Sequence, residues 1–201
     1  MKRNQVPAKL NRVVVKRIKV VISDLHLGRG RTLEGGATNS LEEFYFGKKL
    51  IEFFNYYSSA EFRDAEVEVI INGDFLNFLQ TDYRGHYLTV ITEGVALEQL
   101  HSILSGHREV FEAMKAFAAL PNRIITYVVG NHDQAMLWPA TRQVLNDALD
   151  TDIRYKNIVY FFDGLHIEHG HMHEAANRFD PKRFFLKRDL PEPILNLPFG
   201  S

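Results

Sequence analysis

The chain of 201 residues contains no cysteine. Disulfide bonds, thiolate nucleophiles and cysteine-ligated zinc sites are therefore excluded, and the absence agrees with a reducing compartment, so we expect a cytoplasmic protein. No apolar stretch reaches the roughly eighteen residues that a membrane-spanning helix needs. The N-terminal segment lacks the long apolar core and small-residue cleavage site of a secretory signal, so we expect none there.

The chain also has little net charge, −1 at pH 7, which gives no general attraction to nucleic acid. With 45% hydrophobic and 24% charged residues it should be globular, and its length suits a single domain over residues 1–201. A basic arm at residues 1–17 contains no acidic residue. We favour a solvated arm, because no amphipathic helix accompanies the charge; the alternative is contact with a phosphate-rich partner or, peripherally, with an anionic membrane surface.

Three apolar runs rich in β-branched residues predict buried strands, and each ends in a glycine-containing turn with ligand-type side chains. In α/β sheets, sites lie beyond the carboxyl ends of the strands, so these turns are expected to converge. The runs and turns are residues 20–22 before Asp24, His26 and Gly28, residues 67–71 before Gly73 and Asp74, and residues 124–129 before Gly130, Asn131, His132 and Asp133.

A hairpin is predicted where Asp163-Gly164 separates two further apolar runs, at residues 158–162 and 165–168. The second strand of this hairpin leads directly into His169, with His171 and His173 close behind. We take His169 as a metal ligand. His171 and His173 are weaker candidates, each being a ligand, a substrate contact or a surface residue.

Asp24 and His26 lie two residues apart, and in an extended segment such side chains point the same way. A carboxylate oxygen beside an imidazole nitrogen suits a divalent transition-metal ion. Taken alone, this pair is more typical of a polar loop that follows a strand than of a metal site.

Helices are predicted at three places between these motifs. Ser40 and Glu43 form a capping-box pattern before a helix that extends to Tyr57. Helical periodicity continues over residues 89–120, weakened at Gly94 and Gly106, and over residues 135–149, interrupted by Pro139.

Taken together and in order, Asp24-x-His26, Gly73-Asp74, Gly130-Asn131-His132-Asp133 and His169-Gly170-His171 resemble the calcineurin-like metallophosphoesterase superfamily. The resemblance covers roughly residues 18–180. It implies an α/β fold, an αββα sandwich of two mixed β-sheets flanked by helices, with two divalent metal ions held between the sheets.

The same resemblance implies a role for each motif residue. Asp24 and His26 would hold one ion, Asn131 and His169 the other, and Asp74 would bridge both. Mixed oxygen and nitrogen ligands favour Mn, Fe or Zn. His132 would face the substrate, where it stabilises the phosphoryl group or protonates the leaving oxygen, and Asp133 would hydrogen-bond His132.

The sequence departs from the family pattern in two places. The family ends with a further Gly-His-x-His after another strand, whereas here Gly170-His171-Met172-His173 overlaps the preceding motif. We therefore expect that the fold lacks its C-terminal part, that His171 and His173 do not both bind metal, that at least one ion binds weakly, and that an exposed sheet edge allows self-association. Asn77 stands where many members have aspartate, as a turn residue or a support for the site.

The function implied is hydrolysis of a phosphomonoester or phosphodiester by a dimetal-activated hydroxide. Arg84, in a polar loop, could grip the substrate phosphate, although a solvated surface position is the simpler interpretation. One alternative is a UDP-sugar-lipid pyrophosphohydrolase-like enzyme, against which His132 counts because that subgroup has arginine there. The other is a non-catalytic protein-binding module on the same fold.

Overall fold

The computed structural model describes residues 16–200. The fold is built on a parallel sheet of four strands in the order β1-β2-β3-β4. These strands are β1 (Lys16–Ile22), β2 (Ala65–Asn72), β3 (Arg123–Val128) and β4 (Arg154–Lys156). Ile22 pairs with Ile71, and Ile71 with Tyr127, so the first three strands end at one level of the sheet. The predicted convergence of their turns is confirmed.

Four helices connect the strands and bury the sheet. They are α1 (Gly47–Tyr57), α2 (Glu93–Gly106), α3 (Arg108–Ala118) and α4 (Pro139–Leu149), with short 3-10 turns at Glu34–Gly36, Ala60–Phe62, Gln134–Leu137 and His171–His173. Phe54 of α1 and Phe117 of α3 are fully buried, with ring centroids 5.7 Å apart. This packing places an aromatic core between the helices and the sheet.

The predicted helix over residues 89–120 is broken at His107, which separates α2 from α3. Gly106, the last residue of α2, lies at a close contact with the loop after β1. A Cβ at this residue would lie 2.5 Å from the carbonyl carbon of Arg29, so only glycine lets the loop after β1 pack against the end of α2.

The capping box predicted at Ser40 and Glu43 is wrong, because α1 begins at Gly47 without a side-chain cap. Glu42 shows why the intervening residues are not helical. Its carboxylate is buried and accepts hydrogen bonds from the amides of Gly28 and Gly30, at 3.2 and 2.6 Å. The segment before α1 therefore holds the loop that follows β1.

The predicted hairpin is confirmed as antiparallel β5 (Val159–Phe162) and β6 (Leu165–Glu168). Its aromatic side chains cover a polar patch of the parallel sheet. Lys19 pairs with the buried Glu68, which also accepts a hydrogen bond from Thr126, and the Lys19 ammonium lies 4.4 Å from the ring centroid of Phe162. The hairpin thus lies against the sheet.

A last antiparallel pair, β7 (Phe185–Leu186) and β8 (Ile194–Leu195), forms near the end of the described chain. No secondary structure is predicted for this segment from the sequence. Phe185 packs on Trp138 with ring centroids 4.2 Å apart, and the Leu195 amide donates to the Ile91 carbonyl at 2.9 Å. These contacts hold the pair against Trp138, directly before α4, and against Ile91, shortly before α2.

The α/β class is confirmed, with one parallel sheet and two short antiparallel pairs among residues 16–200. Lys16 and Arg17 of the predicted basic arm belong to β1, and the rest of the arm lies outside the described residues. In the described part of the chain, no helix combines the length and apolar character that crossing a membrane requires.

Candidate metal centre

The turns after β1 and β2 are fastened to each other by backbone hydrogen bonds. The amide of Asp24 donates to the Gly73 carbonyl at 3.2 Å, and that of His26 to the Asp74 carbonyl at 2.9 Å. Asp24, His26 and Asp74 all have left-handed backbone conformations, with φ of 57°, 54° and 52°. Non-glycine residues seldom adopt this region, and such strain is concentrated at functional sites.

The left-handed conformation of these residues contradicts the expectation that the side chains of Asp24 and His26 point the same way. Asp24 and His26 do not leave an extended strand side by side, because alternation of side chains applies only to extended backbone. Two groups of side chains could each hold a metal ion: Asp24, Asp74 and His169 form one, and His26, Asp74 and His132 form the other. In each group the ligand-type atoms lie within 4.8 Å of one another. Asp24 and His26 therefore belong to different groups, and Asp74 belongs to both.

Asp74 is almost fully buried, with 3% of its surface exposed. Its Oδ2 lies 3.2 Å from Nε2 of His169 and 3.8 Å from Nε2 of His26, while Oδ1 accepts from the His132 amide at 2.9 Å. Burial alone would raise the pKa of Asp74, but the His169 and His132 contacts outweigh burial and lower it. The carboxylate is therefore ionised at neutral pH and faces both groups.

Two glycines make room for this arrangement. A Cβ on Gly130 would lie 2.5 Å from the Asp74 nitrogen and closer still to Oδ1. A Cβ on Gly73 would lie 2.5 Å from Cγ of His169. The glycines of the second and third motifs are thus required by the close approach of Asp74 and His169.

His169 is held by its other ring nitrogen, because Nδ1 lies 2.9 Å from the Asn72 carbonyl and donates to it. Nε2 is thereby directed towards Asp74. Burial disfavours the charged imidazole, yet the hydrogen bond and charge of Asp74 prevail and raise the pKa of His169 to about 9. The site therefore favours positive charge at this position.

His132 sits beside His26, with ring centroids 4.5 Å apart in an edge-on arrangement. Its Nδ1 lies 3.1 Å from Oδ1 of Asn77, an oxygen that also accepts from the Gln80 amide. Nδ1 therefore carries the proton, and Nε2 keeps its lone pair. Burial lowers the pKa of His132, which keeps the ring neutral at neutral pH.

Asp133 does not make the expected hydrogen bond to His132. Its fully buried carboxylate accepts from the amides of Gly130 and Phe75, at 2.5 and 3.1 Å, and from the Tyr127 hydroxyl at 2.6 Å. Burial and the charge of Asp74 raise the pKa of Asp133 to about 7. Asp133 thus shapes the loop after β3, and Asn77 is the residue that orients His132.

The remaining predicted residues have different environments. Asn131 is largely buried in the loop after β3, and its carbonyl accepts from Gln134 at 2.9 Å; ligation by its side chain stays a prediction. His173 is exposed and pairs with Glu168 at 2.6 Å. Arg84 is exposed and makes a two-pronged ion pair with Glu98, at 2.6 and 3.0 Å, which agrees with a surface position.

His171 is buried, and neither of its ring nitrogens has a hydrogen-bond partner. Its ring centroid lies 5.5 Å from that of His169 and 4.4 Å from that of Phe179. Burial and the neighbouring His169 lower the pKa of His171 to about 4, so the ring is neutral. A neutral, unpartnered imidazole beside the first group is available as a further nitrogen donor.

Glu43, which is predicted from the sequence to be part of a helix cap, lies beside the candidate metal centre instead. Its Oε2 lies 3.7 Å from Nδ1 of His26 and 3.5 Å from Nδ2 of Asn77. Contacts of this kind join segments far apart in the chain, so local sequence carries no signal for them.

The donor set fits divalent metal ions. Both ring nitrogens of His171 are buried without hydrogen-bond partners, although buried polar groups normally have them. With the carboxylates of Asp24 and Asp74 they offer the mixed oxygen and nitrogen ligands that transition-metal ions prefer.

No protein-family model matches the chain, and neither the curated proteins nor the solved structures include a significant match.

Proposed function

We propose that this protein is a metal-dependent phosphoesterase of the calcineurin-like superfamily, which hydrolyses a phosphomonoester or a phosphodiester. The observation that carries the proposal is the position of Asp74: one buried carboxylate belongs to both groups of potential metal ligands. A carboxylate that belongs to both groups would hold two ions close together, as a two-metal hydrolytic site requires.

The proposal extends to the fold. The β5–β6 hairpin lies against the face of the parallel sheet that carries Lys19 and Glu68, whereas the alternate residues Val67, Val69 and Ile71 pack in the core with the helices. We assign this hairpin to the second layer of an αββα sandwich. The first layer is then the β1–β4 sheet, whose strand ends supply Asp24, His26, Asp74 and the loop of His132.

Asp24, Asp74 and His169 would hold one divalent ion, with His171 as a further donor. His26 and Asp74 would hold the other, next to Asn131 and His132. When bound, such ions supply a hydroxide at neutral pH and offset the negative charge that develops on the phosphoryl group.

The protein's own groups have three tasks. Asn72 and Asn77 fix which nitrogen of His169 and of His132 is free. Gly73 and Gly130 let Asp74 approach both groups. His132 presents an Nε2 with a lone pair; once this atom has taken up a proton from solvent, we assign it as the donor to the phosphoryl oxygens or to the leaving oxygen.

Metal-dependent hydrolysis tests the proposal directly. Purified protein would be loaded with Mn²⁺, Zn²⁺ or Mg²⁺ and assayed with 4-nitrophenyl phosphate and bis(4-nitrophenyl) phosphate, with metal content measured in parallel. Asp74→Asn should lose both bound metal and hydrolysis. Asp152→Asn, the same change at an exposed loop residue, should retain both.

Two results would contradict the proposal. One is hydrolysis that survives Asp74→Asn, which would place the activity elsewhere. The other is tight metal binding with no hydrolysis of either ester, which would favour a non-catalytic binding module.

A further inference from the structure

A cavity of about 170 Å³ lies directly beside His132. An apolar cavity of about 150 Å³ is known to be large enough to bind benzene. The walls come from five parts of the chain and are mostly apolar: Phe78 and Leu79; Tyr87, Leu88, Thr89 and Ile91; Gln99 of α2; His132, Gln134 and Ala135 after the third strand; and Leu195 and Leu197 near the end of the described residues.

The cavity opens at an apolar rim. Tyr87 is 55% exposed and Leu88 is 38% exposed, and both line the cavity. Exposed apolar side chains gathered at a concave site mark a place where a ligand binds. His132 also lines the cavity, and its ring centroid lies 4.5 Å from that of His26. A group that fills the cavity is therefore adjacent to the candidate metal centre.

One wall residue adds a polar requirement. Gln99 of α2 is buried, and its Nε2 donates to the carbonyls of Phe78 and Thr81, at 3.2 and 2.5 Å. These bonds fix the amide, and its Oε1 is left buried without a hydrogen-bond partner. A buried acceptor without a partner costs free energy that a donor on a bound ligand would recover.

We propose that this cavity binds the organic group of the substrate, and that this group is a single aromatic ring carrying a hydrogen-bond donor. The inference rests on the proposed phosphoesterase function, since His132 connects the cavity to the phosphoryl site. The volume accepts one ring. Tyr87 and Leu88 contact the ring at the rim, and Gln99 accepts from its donor.

Phosphonates test the cavity without the complication of leaving-group reactivity. Phenylphosphonate and methylphosphonate carry the same anionic group, so their inhibition constants against bis(4-nitrophenyl) phosphate differ only through the ring. We expect phenylphosphonate to inhibit at least tenfold more tightly. The 3- or the 4-hydroxyphenyl derivative should bind about threefold more tightly again. Equal inhibition by the phenyl and methyl compounds would overturn the proposal, and no gain from either hydroxyl would overturn the role of Gln99.

Two variants test whether the preference for phenylphosphonate arises in this cavity. Leu88→Ala removes a rim contact and Ala135→Leu fills the cavity, and each should reduce the phenyl-to-methyl preference at least threefold. Val90→Ala is the matched control, because Val90 is 53% exposed in the same segment and does not line the cavity. Thermal unfolding establishes that each variant is folded. A preference that survives both cavity variants would place the ring elsewhere.

The failure of the parent proposal can be told apart from the failure of this one. Methyl signals of Leu88, Ala135 and Leu195 can be followed by NMR while phenylphosphonate is added. Shifts in a protein that hydrolyses no ester would retain the cavity and remove the phosphoesterase function. Hydrolysis of an ester without shifts of these methyl signals would retain the phosphoesterase function and exclude the cavity as the site of the aromatic ring.

Discussion

Replacing Gly130 with alanine should disable the metal centre while leaving the fold intact. The new Cβ would lie 2.5 Å from the Asp74 nitrogen and closer to Oδ1, whereas real Cβ atoms essentially never approach within 3.0 Å of another group. Asp74 must therefore move by roughly 0.5–1 Å. Overpacking of this kind costs about 1–3 kcal/mol. A displacement of about 1 Å in a positioned group can cost about 10²-fold in rate.

The expected result is a loss of at least one bound metal ion and a fall of about 10²-fold in kcat/KM for bis(4-nitrophenyl) phosphate. Metal analysis and steady-state kinetics measure the two effects, and chemical denaturation measures the stability. Gly130 does not have a positive φ, so the effect reports the steric contact and not backbone strain.

Gly94→Ala is the control for this change. Gly94 lies near the start of α2, and the nearest atom to its added Cβ is Thr92 Oγ1 at 3.9 Å. This variant should be more stable by up to about 1 kcal/mol, because alanine is the better helix former, and it should keep its metal and activity. A folded Gly130→Ala protein with near-normal metal affinity and kcat/KM within threefold of the parent would refute the reasoning about Asp74.

Three further predictions follow from the site and the sheet. His132→Ala should lower turnover by about 10²–10⁴ with near-normal metal content; loss of metal would instead assign His132 as a ligand. His169→Ala should lose metal, whereas His173→Ala, which removes only an exposed pair, should keep it. The Lys19 and Thr126 contacts outweigh burial and lower the pKa of Glu68, so this carboxylate stabilises the fold above its ordinary pKa of 4.5 and that contribution is lost as the pH falls further. Glu68→Gln should therefore lower the free energy of unfolding by about 1–3 kcal/mol at pH 7. It should also weaken the dependence of that free energy on pH in the acid range, which denaturation at several pH values measures.

The strand ends of the site can be predicted from sequence because their signal is local. Buried parallel strands appear as runs such as residues 67–71, and glycine marks the turn that follows each one. The hairpin has an equally local signal in Asp163-Gly164. Both predictions are confirmed.

Predictions that depend on distant partners fail. Glu42 lies in a stretch with helical periodicity, but its carboxylate accepts hydrogen bonds from the amides of Gly28 and Gly30. No local sequence pattern indicates that contact. Asp133 is adjacent to His132 in the sequence, but its carboxylate accepts hydrogen bonds from the Tyr127 hydroxyl and the Phe75 amide instead.

Backbone conformation accounts for the remaining difference at the site. The assignment of Asp24 and His26 to one ion assumes an extended segment. Their left-handed φ values separate the two side chains between two groups. Chirality disfavours such values, so sequence rules seldom anticipate them.

The β7–β8 pair has a consequence for how this protein can change over evolutionary time. Leu195 holds Ile91 through a backbone hydrogen bond, and both side chains line the cavity beside His132. Neither residue belongs to the groups that could bind metal. Substitutions in these two segments can therefore alter which molecules are accepted without disturbing Asp74 and its partners. Under the proposed function, these two segments contribute to substrate selectivity but not to metal binding, so a lineage could diversify the first while purifying selection preserves the second.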